Sequence, residues 1–368
     1  MSTPFAIATF IGSLGLTIAS SLVLAVSVER IGARLGLAEG LQGIVTALAA
    51  DAPEIASAVV AIGTGRHDLG VGVVFGSGVF NLAGLLGLSA VIGRGIKIGP
   101  RGLLFNGLPS LAVATVGAAL ATRMLGAVPA VALIGAIMVP YGLLSALHPP
   151  RGHRHPPLKE GGNPVVHRHP PGTHERAAER HGAAMPFEEL AALGRVRLAL
   201  RNAISDSAVA ARRDKPPAHA SWDQMLAVIP SLTAVVVGSI GMVRAAETLG
   251  NRWGISEVIL GALIIATLTG LPNVLASVRL AVRGRGSAVV SESLNSNTLN
   301  VVAGAALPAL VVGVLARAGP TSLEAWWLVG MTGGVLGLGF HGRGISRVEG
   351  FGVIAVYALF SATLLLLT

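Results

Sequence analysis

Asp51 and Glu54 stand three residues apart around Pro53, inside the otherwise apolar stretch ALAADAPEIASAVVAIG of residues 47–63. On a helix, side chains at i and i+3 share one face. Pro53 has no backbone N–H and its ring clashes one turn back, so the carbonyl near residue 49 loses its donor. Inside a bilayer such freed carbonyls are tolerated only when buried in protein or lining a cavity. Ser77 and Asn81 in GSGVFNLAG are spaced i, i+4, again on one face. Carboxylate, amide, hydroxyl and carbonyl oxygens together form a hard-cation ligand set, suited to Ca²⁺, Na⁺ or Mg²⁺ rather than soft metals.

The pattern recurs. A shift of 219 residues lays LAADAPEIAS (48–57) on TLTGLPNVLA (267–276), and GSGVFNLAG (76–84) on NSNTLNVVA (295–303). Pro53 meets Pro272, Glu54 meets Asn273, Ser77 meets Ser296 and Asn81 meets Asn300. The second set brings Thr269, Asn273, Ser296 and Asn300 to the depth of the first, and Pro53 and Pro272 are expected to break their helices. Glu292, in SESLNSN, is a third acid, placed at an entrance to the site or standing in for the charge absent at Asn273.

The elements that hold these residues must be membrane helices. Of the 368 residues 52% are hydrophobic and 12% charged, and the mean hydropathy is +0.71. Soluble domains carry about 25% charged residues. Apolar runs of about 20 residues, enough to span roughly 30 Å of hydrocarbon, occur at about 5–27, 41–63, 70–92, 103–121, 126–147, 225–248, 257–281, 287–314, 323–340 and 350–367. The fold class is therefore all-α: a polytopic helical membrane protein of about ten transmembrane helices. Residues 1–147 form a first five-helix repeat, 148–224 a polar loop, and 225–368 a second five-helix repeat. An odd number of spans per half starts the second half from the opposite side, so related halves are inverted repeats.

A carboxylate in mid-bilayer costs about 2.5–3.5 kcal/mol on insertion scales and usually marks function. Asp51 and Glu54 are some ten residues from the inner end of their span, and no Lys or Arg lies in mid-span to pair with them. Ser77 or Asn81 alone would serve as a helix–helix contact, but their repetition beside the two prolines points to a site.

The formal charge of +9 reflects topology rather than nucleic-acid binding. With both termini outside and the loop cytoplasmic, 22 of the 27 Lys and Arg fall inside, as the positive-inside rule requires. The 49 glycines suit close helix packing in lipid. The first span lacks a basic n-region and is expected to be retained rather than cleaved as a signal peptide. The loop holds eight of the ten histidines and several Pro-Pro pairs; it is expected to be disordered, with an amphipathic segment over 186–214.

At AADAPE (49–54), GSGVFN (76–81), LTGLPN (268–273) and NSNTLN (295–300) the chain resembles the cation/calcium exchanger superfamily. That resemblance implies Glu54 as the Ca²⁺-binding acid of the first repeat, with Ser77 and Asn81 as partners. The family's Na⁺-contacting Thr-Ser pair falls on Ala50 and Asp51 here, and on Thr269 and Gly270 in the second repeat. The family places one acid in each repeat; this chain has Asn273 in place of the second and carries Asp51 in the first instead. Two carboxylates on one face repel, so one holding a proton in the absence of cation would suit proton coupling. The absence of Na⁺-contacting hydroxyls would equally mean that Na⁺ is not the driving ion.

The resemblance implies a secondary cation antiporter of the cell membrane, exchanging Ca²⁺ for Na⁺ or H⁺ by alternating access around a midplane site. Asp51 and Glu54 would hold the metal ion, completed by Ser77, Asn81, Thr269, Asn273, Ser296 and Asn300. The expected partners are the lipid bilayer and inorganic cations, with no nucleic acid and self-association left open. No cofactor beyond the transported ions and no enzyme activity is expected: Asp51 is the only aspartate well inside a span, no histidine is, and no nucleotide-binding glycine loop occurs. The rival is a non-transporting exchanger-derived protein that senses metal through its histidine loop.

Overall fold

The computed structural model describes residues 1–37, 39–147, 222–312, 321–342 and 344–367. The expectations for the polar loop, its histidines and its amphipathic segment fall outside these residues. The first half holds α1 (Thr3–Arg34), α2 (Glu39–Ala50), α3 (Ala52–Gly63), α4 (His67–Ile92), α5 (Pro100–Ala121) and α6 (Ala127–Leu147). The second holds α7 (Trp222–Trp253), α8 (Glu257–Val282), α9 (286–312), α10 (Thr321–Gly342) and α11 (Arg347–Leu367). Among the described residues eight helices are long and apolar enough to cross a membrane, and a ninth span is made if α2 and α3 count as one. The remaining expected span, 287–314, is helical as α9 over its described residues up to Val312, but its SESLNSNTLN segment makes it more polar than the others. The chain is an all-α polytopic membrane protein; among the described residues the one exception is a two-residue ribbon in which β1 (Ile96–Lys97) pairs antiparallel with β2 (Gly344–Ile345).

The halves run in opposite directions. Gly241 lies against Ser13 and Thr9, and Gly238 against Thr17, so α1 and α7, the first helix of each half, are antiparallel. Arg252 at the end of α7 accordingly bonds the hydroxyl of Thr3 and the carbonyl of Met1. Helices α4 and α9 are antiparallel in the same way, with residue 77 opposite 300 and residue 81 opposite 296.

Helix α4 is the centre of the fold. Its apolar window is entirely buried, as expected of a helix that is hydrophobic on all sides. It meets α8 backbone to backbone. A Cβ on Gly72 would lie 3.1 Å from the Val258 carbonyl, and one on Gly76 would strike the backbone of Ala262. Small residues permit such approach, and dispersion between the closely packed backbones holds the helices together in lipid.

Local chemistry sets the interruptions. The α2–α3 span bends by 61° at Asp51, because Pro53 offers no N–H to the carbonyl one turn back. The helix restarts with Ile55 N–H donating to Asp51 O at 3.1 Å. Pro272 behaves differently, and the expected break there is absent: the α-helical part of α8 runs through it, from Ala266 to Val282. The irregularity sits earlier, in a π-helical stretch at Leu260–Ile265. Neighbouring packing and local widening of this kind let membrane helices carry proline without a kink. Helices α4 and α9 widen to π geometry immediately after Asn81, at Leu82–Leu88, and from Asn300, at Asn300–Ala306. The two repeats thus share an irregularity at the same register, the kind that recurs at functional sites.

Arg66, in the turn before α4, pairs with Glu247 of α7 and with Glu257 of α8, the latter at 2.8 Å. These side chains are about one-third exposed, and such pairs contribute little. Arg66→Ala should lower stability by no more than about 1 kcal/mol, read as a melting shift of a few degrees in detergent.

Candidate functional site

Asp51 and Glu54 are each 1% exposed. Asp51 sits in the one-residue gap between α2 and α3, and Glu54 in the first turn of α3. The bend at Pro53 therefore places both carboxylates, and a helix N-terminus, where an unbroken span would have had backbone hydrogen bonds. Ser77, Asn81, Thr269, Ser296 and Asn300 are 2% exposed or less, and Asn273 is 8% exposed.

The bonds between them cross the repeats. Asn81 Nδ2 donates to Ser296 Oγ at 2.9 Å, and Asn300 Nδ2 donates to Ser77 Oγ at 3.2 Å. Because Ser77 and Ser296 correspond, and Asn81 and Asn300 correspond, these are the same bond made twice by the two-fold relation of the repeats. The third bond has no such mate. Asn273 Nδ2 donates to Asp51 Oδ1 at 2.8 Å, from the position that corresponds to Glu54. Ser296 also lies beside Asp51, and the charges of Asp51 and Glu54 act on each other. A Cβ on Gly270, one turn before Asn273, would lie 3.6 Å from Asn81 Oδ1, which brings α8 to the same cluster.

Two hydroxyl donors of this cluster are committed elsewhere. Ser77 Oγ donates to Val74 O at 2.9 Å and Thr269 Oγ1 to Ile265 O at 2.9 Å, so their hydrogens point back along their own helices. What remains is a set of buried acceptors. Asp51 Oδ2, both Glu54 oxygens, Asn81 Oδ1 and Asn300 Oδ1 have no hydrogen-bond partner. Buried polar atoms are satisfied as a rule, and each exception needs a reason. Five orphaned oxygens, three of them from carboxylates and two from amides, suit one ligand class: a hard cation such as Ca²⁺, which takes six to eight oxygens at about 2.3–2.6 Å. No group of three or more His, Cys, Asp or Glu among the described residues is placed to hold a metal ion; amide and hydroxyl oxygens must complete the shell. The residues present fit a cation as cargo.

Glu292 lies on the same line of α9 as Ser296 and Asn300, at i, i+4 and i+8. It is partly buried, accepts from Ser277 Oγ at 2.9 Å, and its charge acts on Asp51. Sequence reasoning missed several neighbours. Ser57 is fully buried, donating to Pro53 O at 2.6 Å, with Ser239 Oγ of α7 3.3 Å from its own oxygen. The Tyr141 hydroxyl joins α6 to Asn106 of α5 at 2.9 Å and Asn295 of α9 at 2.6 Å. Asn297 is buried with its side-chain amide unpartnered; its signal was the run Ser293, Ser296, Asn297 and Asn300 along one stripe. Ser57 and Tyr141 gave none, as single polar residues in apolar spans.

A family model described as "Sodium/calcium exchanger protein" matches residues 5–147 and 224–366. The chain is 36% identical over 95 residues to "Sodium/potassium/calcium exchanger 2" of Mus musculus, a stretch covering 26% of this chain and 14% of that protein. It is 30% identical over 101 residues to "Sodium/potassium/calcium exchanger 1" of Bos taurus, covering 27% of this chain and 8% of that one. These matches span only a small part of those relatives. The fold resembles the solved structure of the sodium-calcium exchanger NCX_Mj soaked with 10 mM Na⁺ and zero Ca²⁺, at a TM-score of 0.58 and 17% identity, covering 99% of this chain and 100% of that one.

Proposed function

The chain belongs to the sodium/calcium exchanger protein family, and from that premise we propose that it is a secondary cation antiporter exchanging Ca²⁺ for Na⁺ or H⁺. The observation that carries this reading is the set of five buried oxygens without donors where the two repeats meet. Asp51 and Glu54 bind the ion and neutralise its charge. Asn81 and Asn300 present their amide oxygens from opposite sides, held in that orientation because their nitrogens are tied to Ser296 and Ser77. Ser77, Thr269, Asn273 and Ser296 complete and brace the shell. Glu292, whose charge reaches Asp51, stands next to it on the path. Alternating access follows from rocking of the antiparallel halves around this fixed point. The protein acts in the cell membrane, with the loop of residues 148–224 in the cytoplasm and both termini outside, supported by the distribution of Lys and Arg. It performs no covalent chemistry; its partners are lipid and inorganic cations.

Two hydroxyl positions are missing from the cluster, since Ala50 and Gly270 have no side-chain oxygen. The coupling ion is therefore the point to test. Purified protein in proteoliposomes should take up ⁴⁵Ca²⁺ under an imposed Na⁺ gradient or an imposed pH gradient. Uptake under one gradient names the ion; uptake under neither sinks the antiport reading.

The Asn273–Asp51 bond gives a sharper prediction. Asn273→Asp alone places two carboxylates in contact where a donor stood, and Asp51→Asn alone removes one of the two acids. Each should lower Ca²⁺ uptake by about tenfold or more, roughly 1.4 kcal/mol. The pair D51N/N273D keeps the acid count and reverses the donor and acceptor across one bond. It should recover at least about half of the wild-type rate, because directly bonded residues couple strongly. Losses that simply add would show that the bond does not matter.

A further inference from the structure

Asn81 Oδ1 is one of the five oxygens without a partner, and α8 passes it at Gly270. A Cβ on Gly270 would lie 3.6 Å from that oxygen. It would also lie 2.9 Å from Cε1 and 3.0 Å from Cδ1 of Phe80. The Phe80 ring therefore stands where a side chain at residue 270 would have to go. Phe80 is 9% exposed and packs with Leu85 of α4 and with Val274 and Val278 of α8. Tyr357 of α11 meets its ring edge to face, with centroids 5.7 Å apart. The Tyr357 hydroxyl is 3.0 Å from that of Thr267, and Thr267 and Gly270, at i and i+3, share a face of α8. Phe360 backs Tyr357 in turn, at 6.1 Å between ring centroids. An aromatic wall thus closes the Gly270 side of the cluster.

We propose that Phe80 is a specificity-determining residue of this antiporter, favouring one divalent cation over monovalent metal ions; this rests on the reading of the Asp51–Glu54 cluster as the transport site. Two buried carboxylates are balanced by one divalent ion or by two monovalent ones. Hard cations take about six oxygens or more each, so two ions need about twelve, and the cluster leaves five unpartnered. A second ion would need further ligands beside Asn81, and residue 270 is placed to bring one. The ring fills that space instead. Its edge has no lone pair and carries the positive end of the ring quadrupole, so it offers a cation nothing. One monovalent ion alone leaves a buried negative charge unbalanced, which is costly. A single Ca²⁺ meets neither difficulty. Protons need no oxygen shell, so the ring sets selection among metal ions and leaves proton coupling untouched.

The test is equilibrium ⁴⁵Ca²⁺ binding to the full-length protein in detergent, with Na⁺ as competitor at constant ionic strength. Wild type should bind Ca²⁺, lose that binding in D51N/E54Q, and release Ca²⁺ to Na⁺ with a slope of about one. F80L/G270S trades the ring for a smaller side chain and adds a hydroxyl beside Asn81. Na⁺ should displace Ca²⁺ from it at about a tenfold lower concentration, with the slope rising towards about two. G270S alone should gain less, since its Cβ meets the ring, so the double should exceed the sum of the two singles. A wild-type slope of about two, or unchanged Na⁺ competition in a folded F80L/G270S that binds Ca²⁺, overturns the role of Phe80 and leaves the transport site standing. Ca²⁺ binding that persists in D51N/E54Q removes the site, and the role of Phe80 with it. Should F80L/G270S not fold, F80L alone decides. The freed space admits water beside Asn81, and Na⁺ should compete about threefold better; no change counts against the proposal.

Discussion

Glu54→Gln should abolish Ca²⁺ uptake in proteoliposomes while leaving the protein folded. The change keeps size and shape and removes one charge, at a residue that is 1% exposed with both oxygens unpartnered. Two unit charges 4 Å apart interact by about 4 kcal/mol at an effective dielectric of about 20, and a contact with a divalent ion is closer and stronger. Dehydration of ion and carboxylate offsets part of this. A remainder of about 2.8 kcal/mol is still a hundredfold, so uptake should fall by about a hundredfold or more. Stability should move the other way. Without Ca²⁺, E54Q removes a buried carboxylate that repels Asp51, and its melting temperature should equal or exceed that of wild type. Normal uptake by E54Q would remove Glu54 from the site, whereas loss of uptake with loss of fold would make it a packing residue.

Gly76→Val should prevent folding, and Gly76→Ala should destabilise by about 2–3 kcal/mol, the upper part of the range for overpacked interiors. The reason lies in what the new atom would meet. At Gly76 a Cβ collides with backbone and Cβ of Ala262, and at Gly261 a Cβ collides with Leu69 O on the other side of the same contact. Backbone cannot rotate away as a flexible side chain can, so the helices must separate. Since Ser77 and Thr269 ride on these two helices, separation also pulls the cluster apart. Gly135 is the control, with nothing within 4 Å of its Cβ position, and Gly135→Ala should change stability by less than about 0.5 kcal/mol. Melting curves of the three variants in one detergent decide the matter; an unaffected G76A would mean that α4 and α8 do not pack at backbone contact.

The sequence by itself determined nine of the ten expected membrane spans, the bend at Pro53 and the pairing of the two repeats. Each depends on properties that travel with a residue: its partition between water and lipid, the missing N–H of a proline, and the identity of residues at one fixed shift. The spacing of Ser77 with Asn81, and of Ser296 with Asn300, was legible for the same reason, because helical periodicity is local. Pro272 shows the limit of local reasoning. It carries the same covalent constraint as Pro53, yet its helix continues and widens earlier at Leu260–Ile265, because packing against α4 decides where the strain is taken up.

Tertiary structure alone decided which atoms are left without partners. Asn81 reaches Ser296 across 215 residues, Asn300 reaches Ser77 across 223, and Asn273 reaches Asp51 across 222. These contacts occupy the amide nitrogens, and burial leaves five oxygens without partners. Residue types announced a cation ligand set, but a hydrogen-bond donor is used up by whatever lies nearest in space, and nearness across 200 residues is a property of the fold.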